Sequence, residues 1–343
     1  RKKAQKMFLS SLSVIKCRKR RLFDHKMSPT EQLGAGEPLD YRDRGSVAAM
    51  RRPEISALRF RGVVWIAFGS LYAIIVTGSL VRLTGSGLGC SDWPNCNSTK
   101  FVDISSGHAA IEQINRLFTG FVAASVILAV SASLFLNPRV RRITVNAGVL
   151  VLGVLIQVVL GAYVVLTGLN PWSNMAHFLV SIFLVSSAFL LIKRVELMIQ
   201  PQDSRTCTDR RLRHLLLASG CLVMFLGTVV TGAGPHSGAE QVTRLGISVR
   251  FATQLHSASV WVLVFLAVVL AVRARKNTTR WEIEGPAWLR LLAAISAQGF
   301  IGYVQYFGGV PAPLVAIHIA LSVVVWLCVF AVYLPASTLL VLD

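Results

Sequence analysis

Charge is scarce in this chain, and acidic charge scarcer still. Only 15% of the 343 residues are Asp, Glu, Lys or Arg, and 16 acids stand against 35 bases. Hydrophobic residues make up 54%, and the mean hydropathy is +0.60. A soluble globular protein does not carry that balance. Residues 1–50 hold no apolar core followed by a small-residue cleavage site, so a secretory signal is not expected there. The histidines are spread over separate segments rather than gathered with Cys or carboxylates, so a compact zinc site fits poorly.

What the chain has instead is apolar runs of membrane-spanning length, about 20 residues each. They fall at 62–82, 113–136, 143–167, 173–193, 213–232, 251–272, 288–307 and 313–338. With no water in lipid to satisfy the backbone, runs this long are helices. The expectation is an all-α membrane protein, with eight transmembrane helices arranged as two pseudo-symmetric four-helix bundles. Residues 1–58 read as a basic, disordered cytoplasmic tail, and Met50 opens MRRPEISALRFRGVVW, a natural lead into the first span. Residues 59–195 form the N-terminal half, 196–212 a cytoplasmic linker, and 213–343 the C-terminal half.

The net charge of +19 is distributed as a topology signal. Arg51, Arg52, Arg59 and Arg61 precede the first span, and Arg139, Arg141 and Arg142 lie between the second and third. Lys193, Arg194, Arg205, Arg210, Arg211 and Arg213, then Arg273, Arg275, Lys276 and Arg280, occupy later alternate connections. By the positive-inside rule, both termini and these loops face the cytoplasm, and the membrane is the plasma membrane. The same pattern argues against nucleic acid as a partner; the partner it indicates is membrane lipid.

The two halves echo each other. QVVLGAYVVLTGLNPWSNMAH, from Gln157 to His177, aligns with QGFIGYVQYFGGVPAPLVAIH, from Gln298 to His318, at an offset of 298 − 157 = 141. Gly161 and Gly302, Gly168 and Gly309, and Ser181 and Ser322 share that register, which carries Asn115 onto His256 and Glu112 onto Thr253. A VTG triplet in each half, upstream, recurs at a larger offset, so the first outer loop is the longer one, and it holds Cys90 and Cys96. Four spans restore the starting side of the membrane, so the repeat is parallel.

His177, His256, His318 and Asn115 each lie near the outer end of a span. Imidazole in an apolar helix is a structural donor, a proton relay or a metal ligand. Two comparable sites at matching depth suit haem, an apolar cofactor that fills a four-helix bundle between axial histidines. His108, His214 and His236 sit at span edges or in loops and are expected to be solvated.

Glu112, Asn115 and Arg116 fall at i, i+3 and i+4, on one helical face at the mouth of the second span. A Glu112–Arg116 pair alone contributes only about 0.3–0.5 kcal/mol. A charge deep in a bilayer costs about 2.5–3.5 kcal/mol, which favours a functional reason for the group. Cys90 and Cys96 flank a Trp-Pro turn on the outward side, where thiols oxidise; they are read as a disulfide, with a cycling dithiol as the alternative. Cys17, Cys207, Cys221 and Cys328 are read as unpaired.

GSLVRLTGSGLGCSDWPNC (78–96), EQINR (112–116), GTVVTGAGPHSG (227–238) and the histidine-bearing helices together resemble the haem A synthase family, across about residues 60–335 and leaning toward bacterial, high-GC Gram-positive members. That resemblance implies an oxidoreductase that oxidises the ring methyl of haem O to the formyl group of haem A by successive hydroxylations. It implies haem b between His256 and His318, and the substrate haem near Glu112, the catalytic residue, with His177 as its iron ligand. The family pattern has a histidine where this chain has Asn115. Arg116 balances charge, and Arg82, Arg244 and Arg250 are candidates for the haem propionates. Implied partners are haem O, haem O synthase and the terminal oxidase assembly machinery. The rival reading is a di-haem b-type transmembrane electron-transfer protein without substrate chemistry. A transporter ranks below both, because the polar groups cluster near one surface rather than at midplane.

Overall fold

The computed structural model describes residues 54–200, 209–239 and 242–334. The tail to residue 53, Cys17 and Cys207, Arg205 and the end of the eighth apolar run lie outside the described residues.

Eight helices are long and apolar enough to cross a membrane, and the chain is an all-α membrane protein. They are α1 (Ala57–Leu83), α2 (Gly107–Leu134), α3 (Arg141–Leu166), α4 (Pro171–Ile199), α5 (Arg210–Ala233), α6 (Val249–Arg275), α7 (Thr278–Phe307) and α8 (Ala312–Tyr333). Two-residue strands, β1 (Ile55–Ser56) and β2 (Leu136–Asn137), pair in parallel beside α1. Five helices start on side-chain caps that take up otherwise orphaned N–H groups. Ser56, Ser106, Ser248 and Asn277 each accept the N–H three residues on, and Asn170 accepts that of Trp172 beside Pro171.

Several helices outrun their apolar segments. The largest difference is at α7, which starts at Thr278 rather than at 288. Pro286 and the charged residues before it interrupt the hydropathy without ending the helix. Asn277 caps the extension, and Arg280 and Glu284, one turn apart, bond each other at 3.1 Å. Asp209 accepts from Arg280 at 2.8 Å and Arg273 at 3.1 Å, while Glu284 accepts from Arg213 at 2.6 Å. The Arg213 guanidinium also donates to the Val332 carbonyl. These ion pairs tie α5, α6, α7 and α8 together at the end away from the cysteine loop.

In the first half, α1 packs on α2, α2 on α3, α3 on α4, and α4 back on α1; α5 to α8 repeat that ring. This leaves α2 diagonally opposite α4, and α6 diagonally opposite α8. Separate apolar cores fill the two rings, one around Phe60, Leu150 and Leu191, the other around Leu216, Leu263 and Trp288. A third core, with Ile75 and Val185 against Met224 and Val323, joins them.

Candidate functional site

The same turn precedes two of the histidine helices. Gly168 and Leu169 are left-handed (φ 62° and 60°), and so are Gly309 and Val310 (φ 78° and 60°). The Leu169 N–H returns to the Val164 carbonyl, and the Val310 N–H to that of Gln305, both at 2.8 Å. This 6→1 bond closes the preceding helix and reverses the chain. His177 then lies six residues into α4, and His318 six into α8. The preceding helix supports each one. Gln157 donates to the His177 carbonyl at 2.9 Å, and Gln298 to that of His318 at 3.0 Å. Gln157 also donates to Ser181 Oγ at 2.5 Å.

Each ring rests against a glycine. A Cβ on Gly161 would lie 3.6 Å from His177 Cε1, one on Gly302 3.1 Å from His318 Cε1, and one on Gly227 3.4 Å from His256 Cε1. His256 is on α6 and His318 on the diagonal helix α8. The Nδ1 atoms of His177, His256 and His318 are buried and have no hydrogen-bond partner. In His256 and His318 that atom faces the neighbouring helix beside Gly227 and Gly302, 3.7 and 3.5 Å from an added Cβ, which leaves Nε2 as the nitrogen available to a ligand. Imidazoles on diagonal helices with glycines beside them fit a flat metallated macrocycle.

Asn115 is on α2 and His177 on α4, the diagonal helix of the first ring. Its Oδ1 accepts the Thr77 hydroxyl at 2.8 Å, which turns the amide nitrogen toward Gly78. His108 does not substitute for the missing histidine here. α2 is continuous from Gly107, so seven residues of rise, about 10.5 Å, separate positions 108 and 115. The His108 Nδ1 instead bonds Ser86 Oγ at 2.9 Å.

Glu112 and Arg116 do form the i,i+4 pair, at 2.6 Å, but they are committed to the cysteine loop as well. Glu112 is 4% exposed and accepts the Cys90 backbone N–H at 2.7 Å. Arg116 donates to the carbonyls of Asp92, Asn95 and Cys90 at 3.0, 3.2 and 3.5 Å. Cys90 and Cys96 are disulfide-bonded (S–S 2.02 Å) and buried. The loop lies so close on α2 that a Cβ at Gly89 would fall 2.4 Å from the His108 carbonyl oxygen, so only glycine fits. Farther out, Asp103 pairs with Lys100, and hydrogen bonds from Ser105 hold its carboxyl below the usual range.

Arg82 is half-buried beside Gly238, and Arg250 is exposed in the first turn of α6; neither has an ion-pair partner among the described residues. Arg244 donates to the Pro235 carbonyl at 3.3 Å. His236 donates through Nε2 to the Val310 carbonyl at 2.8 Å, tying the GTVVTGAGPHSG segment to the second reversal. His214 sits in the first turn of α5 and bonds Arg210. Cys221 and Cys328 are free.

Sequence reasoning missed Thr77, Gly227 and Gly89. Thr77 belongs to the recurring VTG triplet, and Gly227 and Gly89 lie in the two segments singled out as distinctive, so the motifs pointed to their neighbourhoods but not to their contacts.

The family model of a cytochrome oxidase assembly protein, COX15-CtaA, matches residues 61–108 and 102–330 of the chain. Among curated proteins, the chain is 25% identical over 278 residues to a protein of Bacillus cereus named haem A synthase, covering 75% of this chain and 88% of that protein. It is 34% identical over 122 residues to proteins of the same name from Listeria welshimeri and Listeria monocytogenes. Those matches span 34% of this chain and 39% of the Listeria proteins.

Proposed function

The chain belongs to the COX15-CtaA family of cytochrome oxidase assembly proteins, and from that premise we propose that it is a haem A synthase, an oxidoreductase that converts the ring methyl of haem O to the formyl group of haem A for terminal oxidases. The observation that carries this reading is the set of three histidines on the diagonal helices of the two rings, His177 on α4, His256 on α6 and His318 on α8, each ring against a glycine of a neighbouring helix.

His256 and His318 hold haem b in the second half, the resident cofactor, which supplies one-electron chemistry when bound. The diagonal placement of α6 and α8, with a glycine beside each ring, supports a two-histidine site. His177 ligates the iron of the substrate, haem O, in the first half. Asn115 supplies no second imidazole, and its Thr77 bond leaves the amide N–H groups able to donate to the substrate. Glu112 is the catalytic carboxylate in this reading, where it would stabilise positive charge developing at the oxidised carbon. Arg116 and the Cys90 N–H hold it in place. Arg82 and Arg250, cations without ion-pair partners among the described residues, bind propionates.

Each hydroxylation replaces a C–H bond of the substrate methyl by a C–O bond, the carbon giving up two electrons to an external oxidant and its hydrogen leaving as a proton; the first step gives an alcohol, the second a hydrate, and loss of water leaves the formyl group. Both termini face the cytoplasm and the two sites lie toward the outer face of the plasma membrane, supported by the basic residues at the helix ends away from the cysteine loop. Haem O synthase and the oxidase assembly machinery are the partners that such a reaction implies.

The test is the haem profile of membranes from a host that makes haem O but no haem A, expressing this chain or its Glu112→Ala variant. Haem A with the parent chain and none with the variant is expected. Untouched haem O beside protein-bound haem b would favour the electron-transfer reading instead.

A further inference from the structure

The two reversals end on residues that match at the repeat offset, Leu169 and Val310 (310 − 141 = 169), yet their carbonyls are held in different ways. In the first half the partner is local. Asn174, the fourth residue of α4, donates its side-chain amide to the Leu169 carbonyl at 3.0 Å. At the same place α8 has Val315 (174 + 141 = 315), whose side chain has nothing to donate. The Val310 carbonyl instead accepts from Nε2 of His236 at 2.8 Å, a residue 74 positions away in the connection between α5 and α6.

Val310 needs this support more than Leu169 does. A left-handed backbone brings Cβ too close to the carbonyl oxygen that follows, and a β-branched residue adopts it least readily, yet Val310 stands at φ 60°. Its N–H is already committed to the Gln305 carbonyl. Its carbonyl leads directly into Pro311, from which α8 departs with His318 six residues into the helix. The start of α8 is therefore tied by a residue that belongs neither to α7 nor to α8. His236 is itself anchored. Two residues on, the Gly238 carbonyl accepts the Gly87 N–H at 2.9 Å, and a Cβ at Gly238 would fall 2.9 Å from Leu169 Cδ1.

We propose that His236 is a positioning residue of the second site: by holding the Val310 carbonyl it fixes the start of α8, and so the way His318 is presented to the haem b iron. This rests on the reading of the second half as a haem b site. The first half needs no such residue, because Asn174 supplies the equivalent bond from within its own helix. His236 acts through Val310 and α8 rather than as an iron ligand.

The experiment uses the purified full chain with haem b bound, as parent, His236→Ala, His236→Gln, His236→Ala combined with Val315→Asn, Asn174→Val and His318→Ala. The low-spin electron paramagnetic resonance signal of the oxidised haem, its midpoint potential and the rate of haem b transfer to excess apomyoglobin are measured, and the thermal midpoint checks folding. In His236→Ala, transfer is expected to be at least about fivefold faster, the scale of one lost hydrogen bond, with a shifted signal and potential. Val315→Asn in that background transplants the first-half amide and is expected to restore the parental values, and His236→Gln, which keeps a donor, to retain part of them. Asn174→Val is expected to leave haem b as in the parent. Where the alanine variant does not fold, His236→Gln alone and with Val315→Asn are compared in the same way. Parental signal, potential and transfer in His236→Ala, while His318→Ala loses the low-spin signal, would overturn the proposal and leave the haem site standing. So would a change that neither His236→Gln nor Val315→Asn reverses, or one that Asn174→Val reproduces, because each would be a general loosening of the fold. An unchanged low-spin signal in His318→Ala would overturn the site reading and the proposal together.

Discussion

The Glu112 carboxylate accepts the backbone N–H of Cys90 at 2.7 Å, joining the mouth of α2 to the disulfide that closes the loop before it. The carboxylate is therefore an anchor of the loop that packs on α2. Any substitution there changes charge and loop position together.

Replacement of Glu112 separates those effects by degree. Glu112→Gln keeps an acceptor for the Cys90 N–H and loses the ionic attraction, whereas Glu112→Ala loses both. A charge-assisted hydrogen bond contributes about 1.5–3 kcal/mol, so reduction of Cys90–Cys96 by dithiothreitol is expected to accelerate by about tenfold or more in the alanine variant, and by less in the glutamine variant. Identical reduction rates in all three proteins would remove the anchoring role.

Arg116 satisfies Glu112 and three carbonyls at once. Arg116→Ala leaves a buried carboxylate without its counter-charge, and breaking such a pair costs about 3–5 kcal/mol. A lowered thermal midpoint in detergent is expected. Arg116→Lys should recover less than half of the loss, because an ammonium lacks the planar fork that reaches both the carboxylate and the loop. Full recovery with lysine would mean that charge alone matters at this position.

The glycines beside the histidines are not equivalent. An added Cβ meets His318 Cε1 at 3.1 Å from position 302 but His177 Cε1 at 3.6 Å from position 161, an ordinary contact. Gly302→Ala is expected to lower haem b content and alter its Soret band, whereas Gly161→Ala leaves haem b unchanged. Equal, small effects would show that the His318 ring yields easily.

At position 115, a histidine removes the Thr77 hydrogen bond and places an imidazole on the helix diagonal to that of His177. If the position is axial, Asn115→His should change the spectrum of bound haem O toward a six-coordinate, low-spin form. An unaltered spectrum and unaltered haem A production would exclude position 115 from the coordination sphere.

Much of this was legible in the chain itself. Apolar length is a local property, so the eight helices could be read along the sequence, with α7 the main exception because Pro286 and its charged neighbours hide a capped extension. The Gln–Gly–His register was legible because one offset of 141 carries it. In the structure those residues make the same bonds in both halves. The pairing of Cys90 with Cys96 followed from short spacing on a loop.

Composition and covalent spacing alone determined that this is a helical membrane protein, where its polar residues interrupt the apolar runs, and which of them share a helical face. Helix periodicity repeats within a few residues and needs no partner. Only the tertiary structure decided that Glu112 reaches Cys90, that Thr77 holds Asn115, that Gly227 backs His256, and that α6 lies across from α8. Each of these joins residues separated by 22 or more positions, and such contacts depend on how loops return the chain and how the helices pack, which no local pattern encodes.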